Sequence, residues 1–178
     1  MKYDLYNEDP VIRTFTGKWM NVFEPTEDMI CIEDIAHSLS MQCRFGGHLP
    51  KFYSVAQHSY HCSQMVDAPH KLAALLHDAS ESFICDIPRP IKHNLKEYKP
   101  IEDKLMNLIA KKYGFDYPLH EDIKKIDEEM LQFEWNTIMI DRQTSGYNFV
   151  LFSPEEAEKK FLQAFNRINV LFNSKDAV

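Results

Sequence analysis

From residue 11 onward, apolar positions recur first in a short dense cluster and then at helical spacing. Residues 11 to 23, VIRTFTGKWMNVF, carry β-branched and aromatic residues around Thr16-Gly17 and predict a short hairpin or extended arm. From about residue 33, EDIAHSLSMQC puts Ile32, Ile35, Ala36, Leu39 and Cys43 on one helical stripe, and the Gly-Gly pair of RFGGHLP is read as its end. A second helix is predicted near 54 to 66, SVAQHSYHCSQMV, with Val55, Cys62, Met65 and Val66 facing inward. The third, HKLAALLHDASESF, is apolar nearly all round and predicts one central buried helix. Beyond the two prolines of DIPRPIKHN, a helix from about 101 to 113 carries Ile101, Leu105, Leu108 and Ile109 and stops at Gly114. A long helix follows near 120 to 140. The last has Ser153 as N-cap, Pro154 at its first position and Glu156 closing a capping box, with Ala157, Phe161, Ala164, Phe165, Ile168 and Phe172 along its stripe.

These segments predict an all-α fold, a bundle of five to six helices with a short β hairpin near the N-terminus. A chain of 178 residues can bury a real core as one domain. Its 44% apolar and 12% aromatic content excludes a disordered chain. No stretch approaches the roughly 18 to 20 apolar residues of a membrane span, and the opening MKYDLYNEDP lacks a signal-peptide pattern, so a soluble cytoplasmic protein is expected. The four cysteines (Cys31, Cys43, Cys62, Cys85) lack C-x-x-C spacing and stand in apolar neighbourhoods, which predicts reduced core thiols. The net charge of −7 argues against a surface for nucleic-acid polymers, yet a small anionic substrate needs only a few local cations.

Three polar positions interrupt the apolar faces: His58, the adjacent pair His77-Asp78, and Asp127, which stands between Ile123 and Met130 on the core side of its helix. Taken singly, each has a bland account, a satisfied core histidine or an acid paired with an arginine. Taken together, two imidazoles and two carboxylates on the inward faces of separate helices form a ligand set for one divalent ion, with coordination positions left for water. Neighbouring residues on an ideal helix diverge by about 100°. An ion shared by His77 and Asp78 must therefore lie between their directions, in the bundle interior. Such a set suits Mn, Fe, Co, Ni or Zn.

The ordered set, with its flanking words CRFGGHLPKFYSVAQHS, ALLHDASESFICDIPRPIK and KKIDEEMLQFE, resembles the H…HD…D signature of the HD-domain metal-dependent phosphohydrolases. The branch it resembles includes the bacterial 5′-deoxynucleotidases and the phage dATP triphosphohydrolases. The likeness spans roughly residues 30 to 135, and TFTGKWMNVFEP extends it toward the N-terminus. It implies one HD-domain bundle over residues 1–178, its metal-site core at about 30–135 and its C-terminal helix at about 154–172. His58, His77, Asp78 and Asp127 would bind the metal, Glu81 matches the catalytic acid, and Asp86 matches an acid that touches substrate or leaving group. Arg44 and Phe45 stand where the deoxynucleotidases carry an Arg-Trp pair at the mouth of the site. Phe45 departs from that tryptophan and leaves sugar discrimination, and mono- against triphosphate, open. Lys92 matches a phosphate-contacting lysine.

His61 projects away from the His58 stripe and reads as a surface histidine, whereas His48 is placed to line the pocket. The activity implied is metal-dependent hydrolysis of a small-molecule (deoxy)nucleotide, dNMP or dNTP, by a homo-oligomer with no membrane or polymer partner. In that reaction Glu81 activates water, or Glu81 and Asp86 protonate the leaving oxygen. Hydrolases of alarmones or cyclic nucleotides and non-catalytic metal-binding sensors are the other classes on such a frame, and a sensor has no need of both Glu81 and Asp86.

Overall fold

The computed structural model describes residues 10–143, 145–146 and 149–173. The hairpin forms where the β-branched cluster places it. Strand β1 (Val11–Arg13) pairs antiparallel with β2 (Trp19–Asn21), Ile12 opposite Met20. Gly17 turns the chain at φ +85°, a conformation that disfavours any residue with a Cβ. Met20 is the hairpin's fully buried anchor. The Asp34 carboxylate accepts hydrogen bonds from the Thr16 amide (2.7 Å) and hydroxyl (2.9 Å), tying the turn to helix α1 (Ile32–Met41).

Helix α1 buries Ile35, Ala36 and Leu39 as its stripe requires. It stops at Met41, short of the Gly-Gly pair, because Gln42 is extended and Cys43 forms an isolated antiparallel bridge with Ser54. Cys43 therefore leaves the stripe expected for it. The next turn is a left-handed one through Phe45, Gly46 and Gly47. Helix α2 (Val55–Met65) begins on Ser54, whose hydroxyl accepts the Gln57 amide at 3.1 Å. Val55, Cys62 and Val66 are buried as expected, but Met65 is half exposed and is not part of the inward face.

The apolar run HKLAALLHDASESF is not one helix. It divides into α3 (Lys71–Leu75) and α4 (Glu81–Ile84) around a tight turn. In a continuous helix the Ala74 carbonyl would accept the Asp78 amide; instead His77 Nδ1 lies 2.8 Å from that oxygen and takes it. The following bonds tighten to three-residue spacing, Ala79 to Leu76, Glu81 to Asp78 and Phe83 to Ser80. The chain then passes Cys85, held at φ +67°, into the short α5 (Arg89–Lys92). Helix α6 (Tyr98–Tyr113) ends at Gly114 in the left-handed conformation, as its sequence predicts.

Helix α7 (Glu121–Glu134) continues as a π-helical stretch over Trp135–Ile140, so the long segment expected near 120 to 140 is two kinds of helix. Residues Ser145–Gly146 and Phe149–Val150 pair as a second short hairpin. Helix α8 (Pro154–Asn173) opens with the Glu156 amide on Ser153 Oγ at 3.2 Å. It packs across α1, α2 and α3 through Ala157, Phe161, Ala164, Phe165 and Ile168. The side chain of Phe172 lies outside the described residues.

The result is a mostly helical protein, eight α-helices and two short antiparallel strand pairs among the described residues. The count exceeds the five to six expected because the third segment breaks and the proline-rich turn winds into α5. The four cysteines are free, but only Cys62 is buried, whereas Cys31 and Cys43 are half-buried and Cys85 is exposed; core burial is thus confined to one of them. Among the described residues, no helix is long and apolar enough to cross a membrane.

Candidate metal centre

Helix α2, the α3–α4 turn and α7 bring His58, His77, Asp78 and Asp127 together. His58 Nε2 stands 3.3 Å from His77 Nε2, 3.1 Å from Asp127 Oδ1 and 3.8 Å from Asp78 Oδ2. His77 Nε2 lies 3.2 Å from Asp78 Oδ2 and 3.7 Å from Asp127 Oδ1. The convergence depends on the α3–α4 break, which frees His77 and Asp78 from helical divergence. Asp127 is half-buried, with its side chain 31% exposed, so the buried aspartate expected from its helical position is instead open on one side.

The tautomers follow from the partners. The Ala74 carbonyl can only accept, so His77 Nδ1 carries the proton there. His58 Nδ1 lies 2.6 Å from Glu134 Oε1. Burial alone would raise the Glu134 pKa, but Arg44, His58 and the hydrogen bonds from His58 and Tyr53 hold it below the ordinary value, leaving an ionised acceptor. With Nδ1 so committed, each Nε2 faces the other imidazole and two carboxylates. The neutral rings would set lone pairs against these donors, so the point calls for positive charge, a proton or a metal ion.

A first-row divalent ion bonds nitrogen and oxygen at about 2.0 to 2.2 Å, which sets neighbouring ligands about 3 Å apart on an octahedron. The observed separations of 3.1 to 3.8 Å suit that arrangement. Cys62, one turn beyond His58, also approaches, with Sγ 3.6 Å from His58 Nε2. His58, Cys62 and His77 form a buried group able to hold a metal. Asp127 Oδ1 stands nearer to His58 Nε2, and Asp78 Oδ2 nearer to His77 Nε2, than the sulfur does to His58.

Electrostatics favours positive charge at this point. Burial and Arg44 push His58 down, but Glu134, Cys62 and the bond to Asp127 outweigh them and its pKa stands well above the ordinary imidazole value. His77 behaves alike: burial lowers it, and Asp78 and Asp127 raise it further. In return, against the upward push of burial, the imidazoles hold Asp127 far below the carboxylate range and Asp78 at about 2.

Glu134 was not among the residues singled out in the sequence. It lies seven positions after Asp127, two turns along the same face, and that spacing was its only signal. Fully buried, it accepts from His58, from the Tyr53 hydroxyl at 2.7 Å and from Arg44 Nε at 2.9 Å. Arg44 reaches from there toward Asp78, its NH1 3.7 Å from Oδ2.

The centre forms the floor of a cleft of about 780 Å³ lined by Arg44, Phe45, His48, Glu81, Asp86 and Lys92 among others. Each candidate substrate or catalytic residue therefore faces the space next to Asp78 and Asp127. Glu81 is buried; Lys92 Nζ donates to its Oε1 at 2.8 Å, whereas Oε2 has no hydrogen-bond partner among the described residues. Burial, then Asp78 and Asp86, push the Glu81 carboxyl up to about 8 against the pull of Lys92. Lys92 also donates to Glu102 at 2.9 Å, so in this structure its Nζ holds Glu81 while it lines the cleft. Asp86 is raised by burial and Asp78, with Arg44 opposing. Gln42, another unforeseen residue, donates to the Glu81 carbonyl at 3.0 Å and accepts the Asp86 amide at 2.9 Å, fixing the two acids relative to each other. His48 lines the cleft as expected, but His61 is half-buried against Gln57 and Phe152 instead of lying on the surface.

No protein-family model matches the chain. A Rhodobacter capsulatus protein, RCAP_rcc00048, described as uncharacterized, is 32% identical over 123 residues, which are 64% of this chain and 63% of that protein. The Escherichia coli K12 protein YfdR, also described as uncharacterized, is 38% identical over 171 residues, covering 90% of this chain and 96% of YfdR. An identity of that extent, end to end, places the chain in the family of YfdR.

Proposed function

We propose that the protein is an HD-domain-type, metal-dependent phosphohydrolase acting on small (deoxy)nucleotides. One observation carries the reading: two imidazoles with committed Nδ1 protons and two carboxylates converge at the floor of a cleft that also holds a buried glutamate anchored by Lys92. His58, His77, Asp78 and Asp127 would hold one divalent ion of the Mn, Fe, Co, Ni or Zn type. When bound, the ion supplies Lewis acidity, polarising a phosphoryl oxygen and acidifying water.

The remaining work falls to the chain's own groups. Arg44, locked by Glu134 and directed at Asp78, faces the charge of a phosphoryl group in the cleft. With its pKa raised to about 8 and Oε1 bonded to Lys92, Glu81 would carry its proton at Oε2, where it is available to a leaving oxygen. Asp86 shares the raised-pKa environment and stands as the second acid in proton transfer. Phosphate release from a panel of deoxynucleoside mono- and triphosphates, run with each divalent ion and with chelator, tests the reading. Chelator-sensitive release of phosphate, or of a longer phosphate chain, is the expected result. Tight metal binding with no turnover on any nucleotide would reduce the protein to a metal-binding sensor.

A further inference from the structure

The acids of the centre are gathered at the floor of the cleft, whose lining also carries Arg89, Glu128 and Gln132. Asp78, Asp127, Glu81 and Asp86 crowd its floor, while Leu131, Trp135 and Met139 run up one wall and Pro88 and Pro90 face the cleft from the α5 turn. Asp127, Leu131, Trp135 and Met139 are spaced four residues apart, so one stripe of α7 and its π-helical continuation leads from the metal ligand to the indole. Eight helical residues span about 12 Å. A helical side chain leans back over the preceding turn, which shortens the distance between carboxylate and indole.

Trp135 is 44% exposed inside this cleft. Phe45 meets it with ring centroids 6.1 Å apart at an interplanar angle of 42°. Phe45 is held at φ +56°, a region costly to any residue with a Cβ, so the turn places its ring beside the indole against local preference. The Arg44 guanidinium lies 5.7 Å from the Phe45 ring centroid, linking the aromatic pair to the charged floor of the cleft. A planar apolar ring joined through a polar spacer to a phosphate satisfies both ends.

We propose that Trp135, flanked by Phe45, is the stacking platform for the base of a bound nucleotide, so that the cleft takes nucleotides in preference to abasic sugar phosphates. The assignment rests on the phosphohydrolase reading for the direction of the phosphate, but it is tested by binding as well as by turnover. The chain has two tryptophans, so Trp19→Phe leaves Trp135 as the sole indole. In that variant with zinc bound, deoxyadenosine monophosphate quenches the indole emission, whereas 2-deoxyribose 5-phosphate does not.

In the otherwise unaltered chain, Trp135→Ala weakens calorimetric binding of deoxyadenosine monophosphate about tenfold or more, and Trp135→Phe restores most of it. A Trp135→Ala protein that melts like the parent and binds the nucleotide as tightly overturns the proposal; if that variant does not fold, the same comparison is made with Phe45→Leu and the quenching measurement. Equal binding or hydrolysis of sugar phosphate and nucleotide removes the base platform and leaves the phosphohydrolase standing. Nucleotide-dependent quenching without any phosphate release does the reverse.

Discussion

Glu134 couples the two halves of the site at the level of single residues. It sets the His58 tautomer and at the same time neutralises Arg44 in a fully buried position. Glu134→Gln keeps the shape but replaces one acceptor oxygen with a donor, and metal affinity measured by calorimetry is expected to fall about 10- to 100-fold. Glu134→Ala removes the close partner of a buried arginine, leaving it only the longer contact to Asp78, and is expected to cost about 3 to 5 kcal/mol in urea unfolding. The role proposed for Glu81 is of another kind, through its proton. Glu81→Gln is expected to bind metal normally and lose roughly 10²-fold or more in turnover.

If Glu81 donates its proton, kcat falls as pH rises through about 8, where the carboxyl ionises; an increase there would assign it as base. The ligands carry a separate pH signature. His58 and His77 have raised pKa values, so a proton competes with metal for Nε2 at low pH. Affinity should therefore rise with pH from the ordinary imidazole range upward, as protons cease to be displaced. A pH-independent affinity would exclude these imidazoles as ligands.

Among the elements, the decisive feature is a helix that fails to continue. The apolar composition of residues 70 to 83 favours one buried helix, and a periodicity argument has no means to see that His77 captures the Ala74 carbonyl. His77→Leu removes both a ligand and the competitor for that carbonyl, so helix content by far-ultraviolet circular dichroism is expected to rise slightly while metal binding is lost. The other end signals were readable because they are local. Ser54, Gly114 and Ser153 act within one turn of their own positions, and each stands where its helix begins or ends. Gly114→Ala meets nothing within 4 Å of the new Cβ, so its expected cost, about 1 kcal/mol at φ +77°, is purely conformational. Chemical denaturation measures that cost, and metal affinity should be unaffected.

For the whole molecule, α8 closes the bundle on α1, α2 and α3, and Phe161 is its fully buried centre. Phe161→Ala is expected to cost about 3 to 5 kcal/mol. Metal that binds only the folded chain raises the melting temperature by mass action, and chelator lowers it to the metal-free value. By itself the sequence determined the helical class, the hairpin around Gly17, most inward stripes and the ordered set His58, His77, Asp78 and Asp127. Those features arise from periodicity, capping and residue type, which are properties of neighbours along the chain.

Tertiary structure alone decided the rest. Lys92 lies between Glu81 and Glu102, Gln42 joins the backbones of the two acids, Glu134 reaches Arg44 across 90 positions, and Trp135 comes to stand beside Phe45. Each of these is a pairing between distant segments. Its energy depends on burial and on distances that exist only after the helices have packed, so no spacing along the chain records it.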